Sequence, residues 1–209
     1  LLILSLYQPV FSTEDTISQA VARYLTRIHK YMEAEDWINA ERELEQTARR
    51  YFKNEDSYER ALINQLYGQF YAMQRDYKKA IPWFEKAIAK GRLPFAADLQ
   101  VTYSLAQCYF QTGRYTDVID TLENYRSKAS KRGQNMAPVQ LMVLGIAYFQ
   151  EQEILKAYLN IAEANATSTK LNEEWLQYEF ALAVKLEKYD DAIRVGQFLI
   201  FVNPEKKSY

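Results

Sequence analysis

At 209 residues, with 48% hydrophobic and 14% aromatic residues, the chain can supply a packed core, but 6 Gly and 5 Pro are too few for the turns of a many-stranded β-protein. Lys and Arg (26) nearly balance Asp and Glu (27), so no net field draws nucleic acid or an anionic membrane. A lone cysteine, Cys108, and a lone histidine, His29, exclude an internal disulfide framework, a cysteine-rich metal site and a histidine metal cluster.

The chain opens on LLILSLYQPVFS, an uncharged apolar stretch unlike anything after it. It reads either as the distal half of a secretory signal peptide or as an apolar strap packed on the first helix, and it is too short to span a membrane. From Thr16 the pattern becomes helical, with long stretches rich in Ala, Glu, Lys, Leu and Gln and free of Gly and Pro. Five first helices are expected over Thr16–Glu33, Ser57–Met73, Phe95–Gln111, Ala137–Gln150 and Asn172–Leu186. Their partners are expected over Trp37–Phe52, Tyr77–Lys90, Tyr115–Ser130, Ile154–Ala166 and Tyr189–Val202. Breaks fall at Gly91 with Pro94, at Gly113, at Gly133 with Pro138, and at Asn203-Pro204.

Each second helix opens on an aromatic or branched residue with a small residue three positions on: Trp37 with Ala40, Tyr77 with Ala80, Tyr115 with Val118, Ile154 with Ala157, Tyr189 with Ala192. These marks recur at intervals of 40, 38, 39 and 35 residues, the signature of a solenoid of helical hairpins. The units run about 16–53, 57–94, 95–133, 137–168 and 172–204, and 205–209 would begin a further first helix.

The second unit closely resembles a tetratricopeptide repeat: Tyr67, Gly68, Tyr71, Ala80, Phe84 and Ala87 match its pattern in order. The fourth matches with Leu144, Gly145, Tyr148, Ala157 and Ala164, and the third with Leu105, Ala106 and Tyr109. The first unit departs at Ile28, which takes the usual small position, and the last departs at Phe180 and Gly196. The resemblance implies an all-α, right-handed superhelical solenoid of about five helix-turn-helix repeats. Its packing residues would include Tyr67, Gly68, Tyr71, Ala80, Phe84, Ala87, Ala106, Gly145, Ala157 and Ala192. The layout, with Tyr58-Glu59-Arg60-Ala61-Leu62 entering the second unit and Leu93-Pro94 closing it, resembles the secreted tetratricopeptide proteins associated with TonB energy-transduction systems of Gram-negative bacteria. That resemblance implies a periplasmic accessory of energised outer-membrane uptake, or a cytoplasmic protein if residues 1–12 are not the end of a signal peptide.

In such an array the first helices line the concave face. In register with Gly68, the residues expected to meet a partner are Gln65, Gln69, Tyr103, Gln107, Phe110, Met142, Ile146 and Phe149. The lining is nearly uncharged, so the expected partner is a mostly apolar, uncharged protein segment held by apolar anchors and amide hydrogen bonds. A carboxylate-clamping groove would need Lys, Arg or Asn at these positions, and they hold none.

Other signals have plainer readings. Cys108 reads as a small buried hydrophobe, and acidic pairs such as Glu173-Glu174 and Asp190-Asp191 sit at helix starts, where the dipole favours them. Arg126, Lys128, Lys131 and Arg132 read as a solvated helix end. No catalytic residue, cofactor or metal is expected. The sequence therefore predicts a non-catalytic protein-binding scaffold, with a generic assembly factor or the recognition arm of a longer enzyme as alternatives.

Overall fold

The computed structural model describes residues 19–51 and 56–203. Readings that fall on residues 1–18, on Phe52 and on Pro204 to Tyr209 lie outside them. Among the described residues the chain is all-α, with ten helices in sequence order: α1 (Gln19–Glu33), α2 (Trp37–Tyr51), α3 (Tyr58–Met73), α4 (Tyr77–Ile88), α5 (Phe95–Gln111), α6 (Tyr115–Ser130), α7 (Pro138–Gln150), α8 (Ile154–Thr167), α9 (Glu173–Lys185) and α10 (Tyr189–Val202). The chain divides into two compact units, Leu1–Cys108 and Tyr109–Tyr209, with the border inside α5.

One device ends all five first helices. Glu35, Arg75, Gly113, Gln152 and Glu187 each take a positive φ of 55° to 71°, two residues before the next helix begins. The N–H of the following residue reaches back to a carbonyl five residues earlier, as from Asp36 to Tyr31, Asp76 to Tyr71, Arg114 to Tyr109, Glu153 to Tyr148 and Lys188 to Ala183 (each 2.9 Å). The positive-φ residue donates to the carbonyl three before it, completing a Schellman cap that satisfies the helix-end carbonyls and reverses the chain. Only Gly113 adopts this conformation without steric cost; the other four carry a side chain there. At the start of the next helix, Asp36 and Asp76 accept from the backbone of Asn39 and Lys79, both at 3.2 Å.

Within the first unit, α1 buries Val21, Leu25, Ile28 and Met32 along one stripe. Helix α3 is buried nearly all round because it packs between α2 and α4. Its Gly68 lies under the ring of Phe84, where an added Cβ would sit 2.5 Å from the ring. The glycine is what lets α3 and α4 approach this closely. Tyr67 and Trp83 stack beside that contact at 4.2 Å, and Trp37 meets Phe70 edge-on at 6.0 Å.

Within the second unit, Gly145 repeats the arrangement against Ile161 (2.6 Å for an added Cβ) and the Ala157 carbonyl (3.2 Å). The last hairpin inverts it. Phe180 stands where Gly68 and Gly145 stand, Gly196 stands where Phe84 and Ile161 stand, and the nearest ring atom to a Gly196 Cβ is Cε2 of Phe180, at 3.5 Å. The two departures from the repeat pattern are therefore one event, with the bulky side chain moved to the opposite helix. Ile28 in α1 faces a different solution: it and its counterpart Leu44 are both fully buried, so that hairpin carries no glycine hole at all.

Polar bonds tie successive hairpins of the second unit. The Tyr148 hydroxyl on α7 donates to Glu123 on α6 (3.0 Å), and the Tyr158 hydroxyl on α8 donates to Asp191 on α10 (2.6 Å). Arg126 on α6 also reaches Asn160 on α8. Glu179, only 1% exposed, takes one bond from Asn165 on α8 and one from Arg194 on α10, each 2.8 Å. A carboxylate at that depth is tolerated because both oxygens are bonded and one partner is cationic.

Candidate partner-binding surface

Of the residues expected to pack the repeats, Tyr67, Gly68, Ala80, Phe84, Ala87, Ala106, Gly145, Ala157 and Ala192 are buried, and Tyr71 is half-buried. The expected partner-facing residues divide. Gln65 and Met142 are 6% and 3% exposed and belong to the packed interior. Gln69, Tyr103, Gln107, Phe110, Ile146 and Phe149 are half-buried, which leaves part of each side chain within a partner's reach. The position of Gln65 and Met142, which α1 fills with Leu25, is buried in those three helices, while Tyr103 at the same position of α5 is half-buried; that of Gln69 and Ile146 sits one turn further on and remains partly open.

In the first unit the open face is amide-rich. Gln69 is half-buried, its Oε1 is shut off from solvent, and no donor among the described residues reaches it. A buried amide oxygen left unpaired costs about 1–3 kcal/mol, which favours turning the half-buried Gln69 amide outward to accept from an incoming N–H. His29 holds the equivalent position on α1; burial lowers the basicity of its imidazole, against the opposing pull of Glu33.

In the second unit the open face is apolar. Phe149 is half-buried on α7, and Lys185 from α9 lies 5.9 Å from its ring centroid. Ala181 and Val184 are exposed on the same stretch of α9. Phe110 presents an edge to Tyr115 at 5.7 Å. Lys185 escaped notice in the sequence because a basic residue in a last helical turn is explained by the dipole alone. The apolar face of α10 also went unrecognised, although the run Phe198-Leu199-Ile200-Phe201-Val202 signals more apolar surface than one buried stripe can use.

The surface offers binding groups rather than reactive ones. The Cys108 thiol is buried, and desolvation pushes its pKa up to about 12, so it stays protonated and unreactive. Asn165, which begins a formal glycosylation motif, has its amide bound to Glu179 and to the Trp175 carbonyl. Among the described residues no three His, Cys, Asp or Glu side chains come together as a metal site, and no helix is long and apolar enough to cross a membrane.

Comparison with known proteins places this geometry. Residues 37–125 match the family model of anaphase-promoting complex, cyclosome, subunit 3. No curated protein matches the sequence. Among solved structures, the chain is similar to MamA (residue 41 to the end) from Desulfovibrio magneticus RS-1, with TM-score 0.69 and 16% identity over 92% of this chain and 100% of that one. It is also similar to a tetratricopeptide repeat protein from Parabacteroides merdae ATCC 43184, with TM-score 0.67 and 16% identity over 90% of this chain and 69% of that one. A third likeness is to PilW, a widely conserved type IV pilus biogenesis factor, with TM-score 0.57 and 16% identity over 91% of this chain and 97% of that one. These likenesses and the repeated glycine-and-aromatic packing make the fold one of tetratricopeptide-like helical hairpins.

Proposed function

We propose that the chain is a non-catalytic scaffold that holds a segment of another protein against the open faces of its first helices. The observation that carries this reading is Gln69: a buried amide oxygen with no donor among the described residues, on a helix face whose other open groups are uncharged. A peptide backbone N–H is the partner that such an oxygen accepts, and the half-open Phe149 and Ile146 suit apolar side chains of the same kind of ligand. Bound segments would be extended or helical and largely uncharged, since few charges on these faces could pair with a charged one.

The setting we propose is the periplasm, beside a TonB-type uptake system. Support for it is the resemblance of residues 57–94 and the leader-like composition of residues 1–12. Site-specific photo-crosslinking in cells tests both levels. A crosslinker at Gln69 should capture a defined protein that one at the outward-facing Ile38 does not, and cell fractionation should recover that complex with the envelope. Equal capture from both positions would refute the binding face; a specific complex found only in the cytoplasm would refute the setting.

A further inference from the structure

In the second unit, cations set over aromatic rings come with a carboxylate. Arg114 stands 4.5 Å from the ring centroid of Tyr109 and pairs with Asp117 at 2.7 Å. Lys156 stands 5.3 Å from that of Tyr148 and pairs with Glu153 at 3.4 Å. Lys188 stands 5.2 Å from that of Tyr158, whose hydroxyl donates to Asp191 at 2.6 Å. In each case the acid lies three residues from the cation along the chain. Lys185, 5.9 Å from the ring centroid of Phe149, breaks the pattern. Leu182, Lys188, Ala181 and Tyr189 occupy the places three and four residues away, and among the described residues Lys185 pairs with no carboxylate.

The openness of Lys185 belongs to its place in the repeat. Its counterparts in the other first helices, Glu33, Met73, Gln111 and Gln150, are exposed as well, including those with further hairpins on both sides. Lys185 is also the one basic residue in α7 or α9. The ring it stands over is half-buried, as is Ile146 one turn back along α7, so the ammonium borders apolar surface. A ligand docked on that surface withdraws water from the ammonium, which strengthens its attraction to an incoming charge. One point charge matches one carboxylate; the nearly two charges of a phosphate would call for further cations or the fork of an arginine.

We propose that Lys185 selects the segment bound on the second unit: one in which an aspartate or glutamate side chain adjoins aliphatic or aromatic residues. This rests on the reading of the first-helix faces as a protein-binding surface and adds an acid to an otherwise uncharged ligand. Apolar side chains of the segment meet Ile146 and Phe149, and its carboxylate supplies Lys185 with the partner that the other three cations find within the chain. Because α7 and α9 offer a single cation, the pair fixes the register of the segment more than it adds affinity.

Random dodecapeptides displayed on phage, selected on the intact chain and on its Lys185→Glu variant, test this. The parent chain is expected to select Asp or Glu beside Leu, Ile or Phe, and a photo-crosslinker at the exposed Gln150 should capture the selected peptides. Lys185→Glu should keep its helicity, since the side chain is exposed, and should select Lys or Arg where the parent selects an acid. A peptide chosen by the parent should bind this variant at least about tenfold more weakly. Lys170→Glu, on an exposed lysine between α8 and α9, should leave the selection as it was. Peptides captured at Gln150 without an acidic preference, or with the same preference on Lys185→Glu, would overturn the role of Lys185 and leave the binding face standing. A library that yields no peptide captured at Gln150 would overturn the face itself and this inference with it.

Discussion

At the residue scale, three glycines in the interior of helices have opposite tolerances for a methyl group, and geometry decides which way each goes. Adding Cβ relieves the backbone entropy that glycine loses, worth about 1 kcal/mol in a helix interior. At Gly68 that gain is overridden, because the new atom would lie 2.5 Å from the ring of Phe84, which is itself 1% exposed and has nowhere to move. Gly68→Ala is therefore expected to destabilise by about 1–3 kcal/mol, and Gly68→Leu by more. At Gly196 the nearest atom is 3.5 Å away, an ordinary contact, so Gly196→Ala is expected to be neutral or stabilising by up to about 1 kcal/mol. Urea denaturation of the two alanine variants checks the contrast; equal effects would show that the helix crossings are not set by these contacts. The inverted pair gives a sharper version. Phe180→Gly should be strongly destabilising alone and be partly restored by adding Gly196→Phe, giving a favourable coupling in a double-mutant cycle.

At the element scale, the turn between paired helices depends on one left-handed residue, and the chain spends glycine there only once. Gln152 holds φ 62° and Glu187 holds φ 57°, a conformation that costs a residue with a side chain about 1 kcal/mol or more. Gln152→Gly is expected to raise stability by about 1 kcal/mol, while Gly113→Ala, at φ 71°, should lower it by a similar amount. Thermal melts of both variants measure this. The sequence marked the third turn through Gly113 and left the others to be inferred from helix periodicity, because an exposed Glu or Arg gives no sign of an unusual φ. Phenolic hydroxyls at the helix contacts add a pH dependence. Burial raises Tyr67, Tyr148 and Tyr158 from 10.0 to about 12, helped in the last two by hydroxyl bonds to Glu123 and Asp191. A raised folded value means that this stabilisation is whole below pH 10 and is lost as pH climbs through about 12. Denaturant midpoints should accordingly fall across that window in step with tyrosinate absorbance, and Tyr158→Phe should flatten part of the fall.

At the scale of the whole molecule, function rests on which side chains are left over after packing. In the second unit, Phe110 and Phe149 are half-buried, so their rings can serve a partner and the core together. Phe110→Ala with Phe149→Ala is expected to reduce partner capture at least tenfold while retaining most of the helical circular dichroism, since each ring gives only part of its surface to the fold. Loss of folding with no separable binding defect would assign both rings to the core. The candidate face was only partly legible beforehand. Periodicity grouped Gln69 and Gln107, which are half-buried, with Gln65 and Met142, which the packing buries.

What the sequence determined by itself was the local order: ten helical segments, their breaks, and the repeated pairing of small and aromatic residues. Those follow from side-chain period and backbone freedom, which act over a few residues. Only the tertiary structure decided that Phe180 and Gly196 compensate each other, that Glu179 is held between Asn165 and Arg194, and that Tyr189, Ile193 and Phe201 of α10 are exposed among the described residues. Each depends on which atoms meet across helices, and helical spacing, however regular, does not specify the neighbour that fills a gap or leaves a face open.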